Sequence, residues 1–279
     1  MFRRIAVHLD QGADCSRRLD FCLRLAKAHD AHLTGIYASY VAPGYFYDEA
    51  GLWVRGMDRA VQIHEKARTA VQKAFSEAAE HAGVAAAWRQ GEWGTPAECV
   101  SRHARSSDVV VVGQNNPKDL EAATGNDFVE QVILTSGRPV IVLPIAGTFS
   151  TIGGRVLYCW DRGREAERAI ADAAPLLRND AALQVLSLDE GFPLQQPSDV
   201  PFEDLVAYCI CHGFPQPVHQ MRDVRHGDIG DAILTAAADF SADLIVMGGY
   251  GHSRMRQLVM GGATRSLLSA MTVPVLLSH

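Results

Sequence analysis

The stretch DLIVMGGYGHSRMRQLVMGGATRSLLSAMTVPV, residues 243–275, decides the fold of this chain. Residues 244–247 are a short apolar run bounded by glycines, which is typical of a strand buried on both faces of a parallel sheet. Residues 272–277 read as the next strand, and Pro274 predicts an edge position for it. The glycines between the strands let backbone N–H groups approach an anion and open a helix whose first amides can bind phosphate; they are Gly248, Gly249, Gly251, Gly261 and Gly262.

The spacing of these glycines separates two interpretations. A lone glycine-rich turn is usually a tight strand-to-helix connection that holds no ligand. Here Gly248, two residues, Gly251, nine residues, Gly261 and a small residue follow one another between two apolar strands. This arrangement resembles the nucleotide signature of the universal stress protein family. One position departs from the signature: nucleotide-binding members carry Ser or Thr directly after the third glycine, and this chain has Gly262, so a hydroxyl donor to phosphate is missing.

The chain also repeats itself. Residues 108–114, DVVVVGQ, lie over residues 243–249, DLIVMGG, at an offset of 243 − 108 = 135. At the front of each repeat, residues 5–10 match 156–161 as a strand that ends in an aspartate, at an offset of 156 − 5 = 151. The difference, 151 − 135 = 16 residues, is assigned to residues 41–57 of the first repeat, which form either an aromatic-rich lid or a loop that covers the core. We therefore predict a fusion of two related repeats.

Apolar periodicity predicts the same elements in both repeats. Each runs β-α-β-α-β-α-β-α-β, which predicts an α/β fold with two doubly wound five-stranded parallel sheets. Gly147, Gly153 and Gly154 interrupt the pattern, so we place the domains at 1–147 and 151–279. The last strand of each repeat is an apolar sheet edge, and we expect the two to cover each other about a pseudo-twofold axis. The resemblance implies that the fold is Rossmann-like, of the adenine nucleotide alpha hydrolase-like kind.

Open parallel sheets bind ligands beyond the carboxyl ends of their strands, where the strand order reverses. This rule selects Asp161, Leu188 and Met247 with Gly248, at the ends of three predicted strands. From the residues alone, Asp161 reads equally well as a cap of the following turn. The resemblance implies that Asp161 contacts the adenosine and that Leu188 and Met247 flank the adenine. It implies that the loop holds the phosphates through Gly248, Gly251, Gly261, Gly262 and Ala263, while His252 either contacts phosphate or faces solvent.

The first repeat does not keep the glycines. At the positions of Gly248, Gly251, Gly261 and Gly262 it carries Gly113, Asn116, Asn126 and Asp127. Negative charge at Asp119, Glu121 and Asp127 lies where phosphate oxygens would have to come, and Pro117 removes one backbone donor. We expect this half to be structural or regulatory. Because Asp10 persists, an uncharged ligand stays an open alternative.

Composition and motifs restrict the function further. The net charge is −6, no long basic run occurs and no apolar run approaches membrane-spanning length, so neither nucleic acid nor membrane is expected as a partner. The start of the chain lacks the pattern of a signal peptide, which predicts a cytoplasmic protein. The six cysteines show no Cys-x-x-Cys pair and are predicted to be reduced thiols. A weaker alternative is a metal cluster formed by Cys209, Cys211, His212 and His219. We predict that the protein has no metal site.

Enzyme signatures are missing from the sequence. It has no Gly-x-x-x-x-Gly-Lys-Ser/Thr loop, no Gly-x-Ser-x-Gly elbow and no His-Glu-x-x-His pair, so slow ATP hydrolysis is the most we expect. The resemblance implies a tandem universal stress protein: a cytoplasmic stress-response protein, a homodimer by analogy, that binds ATP or a related adenine nucleotide, with or without Mg²⁺. It would act by conformation or association rather than turnover. The alternative is a member that binds no nucleotide and acts as an interaction or scaffold protein.

Overall fold

A computed structural model describes residues 1–40, 53–91, 94–119, 124–178, 180–189, 201–225, 227–249 and 262–279. Strands and helices alternate through the first repeat, as the periodicity predicts. They are β1 (Arg4–Leu9), α1 (Cys15–His29), β2 (His32–Tyr37), α2 (Trp53–Ala82), β3 (Ala86–Gln90), α3 (Pro96–Ala104), β4 (Val109–Gly113), α4 (Phe128–Thr135) and β5 (Val140–Leu143).

The second repeat has the same succession, with a short 3-10 turn at Ala174–Leu176 after its first helix. Its elements are β6 (Arg155–Cys159), α5 (Arg164–Ala173), β7 (Ala182–Asp189), α6 (Phe202–Cys211), β8 (Pro217–Asp223), α7 (Ile229–Phe240), β9 (Leu244–Gly248), α8 (Gly262–Ala270) and β10 (Val275–Ser278). The predicted alternation of strands and helices is therefore confirmed in both repeats.

Contacts divide the chain into two compact units, which we call the N-terminal unit (residues 2–136) and the C-terminal unit (residues 137–279). The N-terminal unit has the strand order β3-β2-β1-β4, and its pairs are parallel. Ile5 of β1 lies opposite Leu33 of β2 on one side and Val109 of β4 on the other. The chain therefore leaves β1 in one direction and returns on its other side, which creates a crevice between the carboxyl ends of β1 and β4.

The C-terminal unit has the strand order β5-β10-β9-β6-β7-β8. β6 to β10 form parallel pairs, but β5 of the first repeat pairs antiparallel with β10, with Val275 opposite Val142 and Leu277 opposite Val140. The last strands of the two repeats therefore pair with each other, whereas the prediction of two five-stranded parallel sheets is wrong: in the described residues the units have four and six strands, and the β5–β10 pair is antiparallel. The edge position predicted from Pro274 is wrong, because β10 lies between β5 and β9. The proline precedes the strand, so β10 loses no backbone N–H donor.

One anchor occurs at the start of both repeats, and the sequence did not reveal it. The carboxylate of Asp108 accepts hydrogen bonds from the backbone N–H groups of Arg3 and Arg4 at 2.6 and 2.8 Å, at the entry to β1. Asp243, 135 residues later, accepts three at 2.9 to 3.1 Å at the entry to β6, from Gly153, Gly154 and Arg155. Each carboxylate thus provides a hydrogen-bond acceptor for backbone N–H groups just before and at the first residue of β1 or β6.

The core of each unit lies between its strands and helices. β1 is buried along its whole length after the first residue, as Ile5, Val7 and Leu9 show. Helices present one apolar face to the strands, for example Ala166, Ala169 and Ile170 of α5. Burial of both sheet faces explains why these strands read as unbroken apolar runs.

The structure also bears on two predictions made from the sequence, the irregular segment at residues 41–57 and the state of the cysteines. The irregular segment predicted at 41–57 is helical at its end, because α2 begins at Trp53; residues 41–52 lie outside the described residues. The cysteines are free thiols, as predicted. Cys22, Cys99 and Cys209 are buried, whereas Cys211 is exposed.

Candidate functional site

Three neighbouring strands of the C-terminal unit end together. Cys159 of β6 lies opposite Met247 of β9 on one side and Leu186 of β7 on the other. Asp161 and Leu188 each lie two residues beyond this level, so the structure brings both to the same end of the sheet as Met247 and Gly248. Met247 is buried and Leu188 is half-buried. The strand ends predicted to form one crevice do meet.

Gly248 ends β9 where the first turn of α5 crosses it. A Cβ at this position would lie 2.8 Å from the backbone nitrogen of Ala166 and 2.9 Å from the Cβ of Glu165. Because both contacted residues belong to the first turn of α5, they cannot move away without shifting the helix. Close packing therefore already requires a glycine at position 248. This glycine therefore has a structural reason that is independent of any ligand.

The loop that follows is described only at its two ends. At the first end, Gly249 donates its N–H to the carbonyl of Ser278 at 2.7 Å, and its own carbonyl accepts from His279 Nδ1 at 2.9 Å. Gly251, His252 and Gly261, three of the predicted phosphate contacts, lie outside the described residues. At the other end α8 begins at Gly262, so the prediction that the glycines open a helix is confirmed, and Ala263 lies in its first turn.

Asp161 is exposed beyond the end of β6, and its Oδ1 accepts the N–H of Gly163 at 2.8 Å. The turn-cap interpretation of this residue is therefore confirmed. That bond uses one carboxylate oxygen, and Oδ2 has no hydrogen-bond partner in the described part of the chain. Asp161 can consequently cap its turn and still accept a hydrogen bond from a ligand such as a ribose hydroxyl.

An aromatic cluster beside Asp161 was not predicted. Buried Trp160 follows β6, and the Arg162 guanidinium lies 5.0 Å from the centre of its ring. Phe202 of α6 stacks on His219 of β8 at 4.4 Å. Arg162 has φ 62°, a left-handed conformation that is uncommon outside glycine. The sequence offered only separate aromatic residues, because the tertiary fold alone brings these elements together.

Hydrogen bonds fix the ring of His219 in this cluster. Ser187 Oγ donates to the Trp160 carbonyl at 3.3 Å, so His219 Nε2 donates to that hydroxyl at 3.0 Å. Burial, with a smaller contribution from the nearby charge of Arg162, lowers the pKa of His219 below its usual value. The ring is therefore neutral at pH 7, and the cluster presents flat, uncharged surfaces beside the cation of Arg162.

The corresponding crevice of the N-terminal unit is occupied by an ion pair. Asp10 and Arg18, 3% and 5% exposed, are bonded through Oδ2 and Nη2 at 2.9 Å. The other oxygen of Asp10 accepts the N–H of Gly12 at 2.9 Å. Gly113, the glycine that this repeat retains, lies against the guanidinium: a Cβ there would be 2.4 Å from Arg18 Nη1. Both oxygens of Asp10 are thus engaged, in contrast to those of Asp161.

The space that remains in this crevice is small. A cavity of about 30 Å³ lies between the ends of β1 and β4. A single water needs roughly 10–15 Å³, whereas sites for drug-sized ligands measure roughly 300–1,000 Å³. Residues at the former glycine positions bond within their own segment: Asn116 accepts from the N–H of Lys118, and Asp127 accepts from the amide of Gln131. This crevice therefore differs from that of the second repeat, because its carboxylate is already paired with Arg18.

The residues of the alternative metal cluster lie at the end of α6, with Cys209, Cys211 and His212, and in β8, with His219. Within the described ranges, no group of three or more His, Cys, Asp or Glu side chains has the geometry of a metal site. Burial raises the pKa of the Cys209 thiol to about 11, which keeps it protonated. None of the described helices combines the length and the apolar character needed to span a membrane.

Together, these observations define a tandem of α/β units in which three strand ends meet at one end of the sheet of the second repeat. The sequence model of the universal stress protein family matches residues 1–144 and 154–279. The chain therefore belongs to the universal stress protein family, with two copies of the family's domain, and its fold is the adenine nucleotide alpha hydrolase-like fold.

Known proteins agree with this assignment. Universal stress protein Slr1230 from Synechocystis is 26% identical over 217 residues, which cover 76% of this chain and 72% of the relative. A universal stress protein from Archaeoglobus fulgidus has a similar structure, with a TM-score of 0.69 at 16% identity over 99% of this chain and 95% of its own. The functionally unknown protein PA1789 from Pseudomonas aeruginosa has a TM-score of 0.64 at 15% identity, over 99% and 92% of the two chains. At these identities the solved structures show the fold alone.

Proposed function

We propose that this stress protein binds one adenine nucleotide, ATP with or without Mg²⁺, in the crevice of its second repeat. The observation that carries the proposal is the convergence of Asp161, Leu188, Met247 and Gly248 at the ends of three adjacent strands, next to a loop with the family's glycine spacing. Asp161 would accept a ribose hydroxyl through its free oxygen, and Leu188 and Met247 would flank the adenine. The phosphates would lie on the amides of Gly251, Gly261, Gly262 and Ala263, with His252 beside them.

Electrostatics of the described residues support the choice of an anionic ligand. α8 begins at Gly262, so its first backbone amides have no partner within the helix and carry the positive end of its dipole. Arg162 adds a fixed cation at the crevice, held over the Trp160 ring. The N-terminal crevice lacks both the glycines and the space, and for this reason we propose one site per chain.

The proposed mode of action is binding without turnover. Among the residues that the structure describes, the crevice contains one exposed carboxylate, Asp161, without a histidine or a second carboxylate hydrogen-bonded to it as an acid–base partner. Nucleotide would therefore act by changing conformation or association, in a cytoplasmic homodimer. The boundaries 1–147 and 151–279 stay the proposed domain limits.

Isothermal titration of the intact chain with ATP and Mg²⁺ tests the proposal. We expect one site, lost in Gly251→Val and Gly261→Val, because a side chain there would obstruct the phosphates. Asn116→Val, at the position of Gly251 in the first repeat, is the matched control and should leave binding unchanged. Two sites per chain would refute the asymmetry, and retention of binding in both glycine variants would refute the phosphate site.

One observation favours a second candidate function. Gly262 replaces the Ser or Thr that nucleotide-binding members carry, so the chain is either a weak binder or an interaction protein without nucleotide. Gly262→Ser should tighten ATP binding by about fivefold, since a hydrogen bond to a charged group adds roughly 1 kcal/mol or more. If neither the wild type nor Gly262→Ser binds, and denatured protein releases no adenine nucleotide, the interaction-protein function replaces the first.

A further inference from the structure

The side chain of Arg18 is held inside the N-terminal crevice like a bound ligand. Its Nε donates to the carbonyl of His8 at 2.6 Å and its Nη2 donates to Asp10 at 2.9 Å. Its Nη1 lies so close to Gly113 that a Cβ there would approach to 2.4 Å. The guanidinium thus joins α1, on which it is carried, to the ends of both β1 and β4, the two strands that border the crevice.

We infer that the N-terminal crevice is a guanidinium-recognition site that is kept filled by the chain's own Arg18. This side chain takes the place of a dissociable ligand, so the unit remains in a ligand-occupied form at all times. The inference goes beyond the proposed nucleotide function and does not depend on it. It makes the two repeats unequal: one crevice is closed by a built-in cation, and the other is available to a ligand.

The second repeat shows that the fold itself does not need this ion pair. At the offset of 151 that aligns Asp10 with Asp161, Arg18 falls on Ala169, which is fully buried in α5. Asp161 is exposed, and none of the described cationic side chains is bonded to it. A buried ion pair brings a large desolvation cost and often stabilises a protein no more than an apolar packing would. The pair of the first repeat is therefore better explained as an occupant of the crevice than as a requirement of the sheet.

The groups around Arg18 match the chemistry of a planar cation. The His8 Nε2–H donates to the carbonyl of Ala38 at 2.8 Å, which leaves the lone pair of Nδ1 buried and directed to Asp10 Oδ2 at 3.5 Å. Burial lowers the pKa of His8 to about 4, so this ring is neutral. The site therefore offers a carbonyl and a carboxylate as acceptors, and a guanidinium, with five donors and no acceptor, is complementary to them.

Burial alone would favour the neutral form of Asp10. The charge of Arg18, with hydrogen bonds from Gly12 and Arg18, outweighs this effect of burial and holds the pKa of Asp10 below its usual value. When Arg18 is removed, this carboxylate is left without its cation in a crevice shielded from solvent. A small guanidinium ion should then be able to bind in the place of the side chain.

The test is chemical rescue of Arg18→Ala in the full chain. We expect the melting temperature to fall by about 10 °C, because breaking a buried pair leaves the other charge without compensation. Free guanidinium, at concentrations far below those that denature proteins, should raise it again with saturation, because the ion binds the native state. The matched control is Arg17→Ala, which removes the half-buried neighbour that pairs with Asp14 and should show neither the loss nor the rescue.

Further controls test whether the rescue depends on the charge of Asp10 and on the hydrogen-bond donors of the added cation. Rescue should be absent in Arg18→Ala/Asp10→Asn, because the acceptor charge is gone, and tetramethylammonium, a cation without donors, should not replace guanidinium. If Arg18→Ala does not fold, Arg18→Ser leaves nearly the same room beside Asp10 with a small polar side chain, and the same rescue is expected. An unchanged melting temperature in Arg18→Ala, or destabilisation without saturable rescue, would overturn the inference. ATP titration of the wild type is a separate experiment, so failure of the nucleotide proposal would be recognised independently.

Discussion

Protonation of His8 should make the N-terminal unit sensitive to mild acid. The ring is 1% exposed, packs 4.6 Å from the Phe128 ring, and faces Arg18, Asp10 and the Ala38 carbonyl. Burial lowers its pKa from the ordinary value of 6.5 to about 4. The unfolded chain therefore binds a proton between these two values while the native protein does not, and stability rises with pH across that window.

The size of the effect follows from the two pKa values. One pKa unit corresponds to about 1.4 kcal/mol, so the difference between 6.5 and about 4 corresponds to about 3 kcal/mol. This contribution is fully available above pH 6.5 and is lost as the pH falls toward 4. Asp10, whose pKa is lowered, adds a further loss at lower pH, because its ordinary value is 3.8.

The assay is urea unfolding of wild type and His8→Gln from pH 7 to pH 4. Glutamine keeps a donor for the Ala38 carbonyl but does not titrate, so the free energy of unfolding of the variant should depend less on pH by about 3 kcal/mol over this range. Other histidines contribute equally to both proteins and cancel in the difference. Parallel pH profiles of the two proteins would refute the reasoning.

Three other predictions follow from contacts within single units. Asp243→Ala removes the acceptor of three backbone N–H groups and should lower the free energy of unfolding by about 2 kcal/mol in denaturant titrations; an effect near zero would contradict the anchor. Gly113→Ala should cost about 1–3 kcal/mol by forcing its Cβ against Arg18, and much less in an Arg18→Ala background, so additive effects in that double-mutant cycle would disprove the clash. A fragment of residues 151–279 lacks β5 and should dimerise through β10 in sedimentation experiments, whereas a fragment of residues 137–279 should not; a monomeric 151–279 would exclude this role of β5.

The candidate site could be predicted where it follows the ends of strands. Asp161, Leu188 and Met247 were selected by the rule that parallel sheets bind ligands at their carboxyl ends, and the register of β6, β7 and β9 brings them to one level. The cluster of Trp160, Phe202 and His219 could not be found in this way. Its members come from three different elements and have no common spacing, so only the packing of α6 on the sheet makes them neighbours.

The α/β class, the two repeats and the family can be read from the amino-acid sequence alone. Parallel strands buried on both faces must be continuously apolar, and the offset of 135 between 108–114 and 243–249 is readable without coordinates. The antiparallel pairing of β5 with β10 and the position of Arg18 in the crevice beside Asp10 become visible in the folded protein and not in the sequence. A strand edge does not specify its partner in local sequence, and an arginine on a helix reads as a surface residue until the fold directs it inward. Periodicity reports which side of an element is apolar, whereas long-range packing determines what each polar group meets.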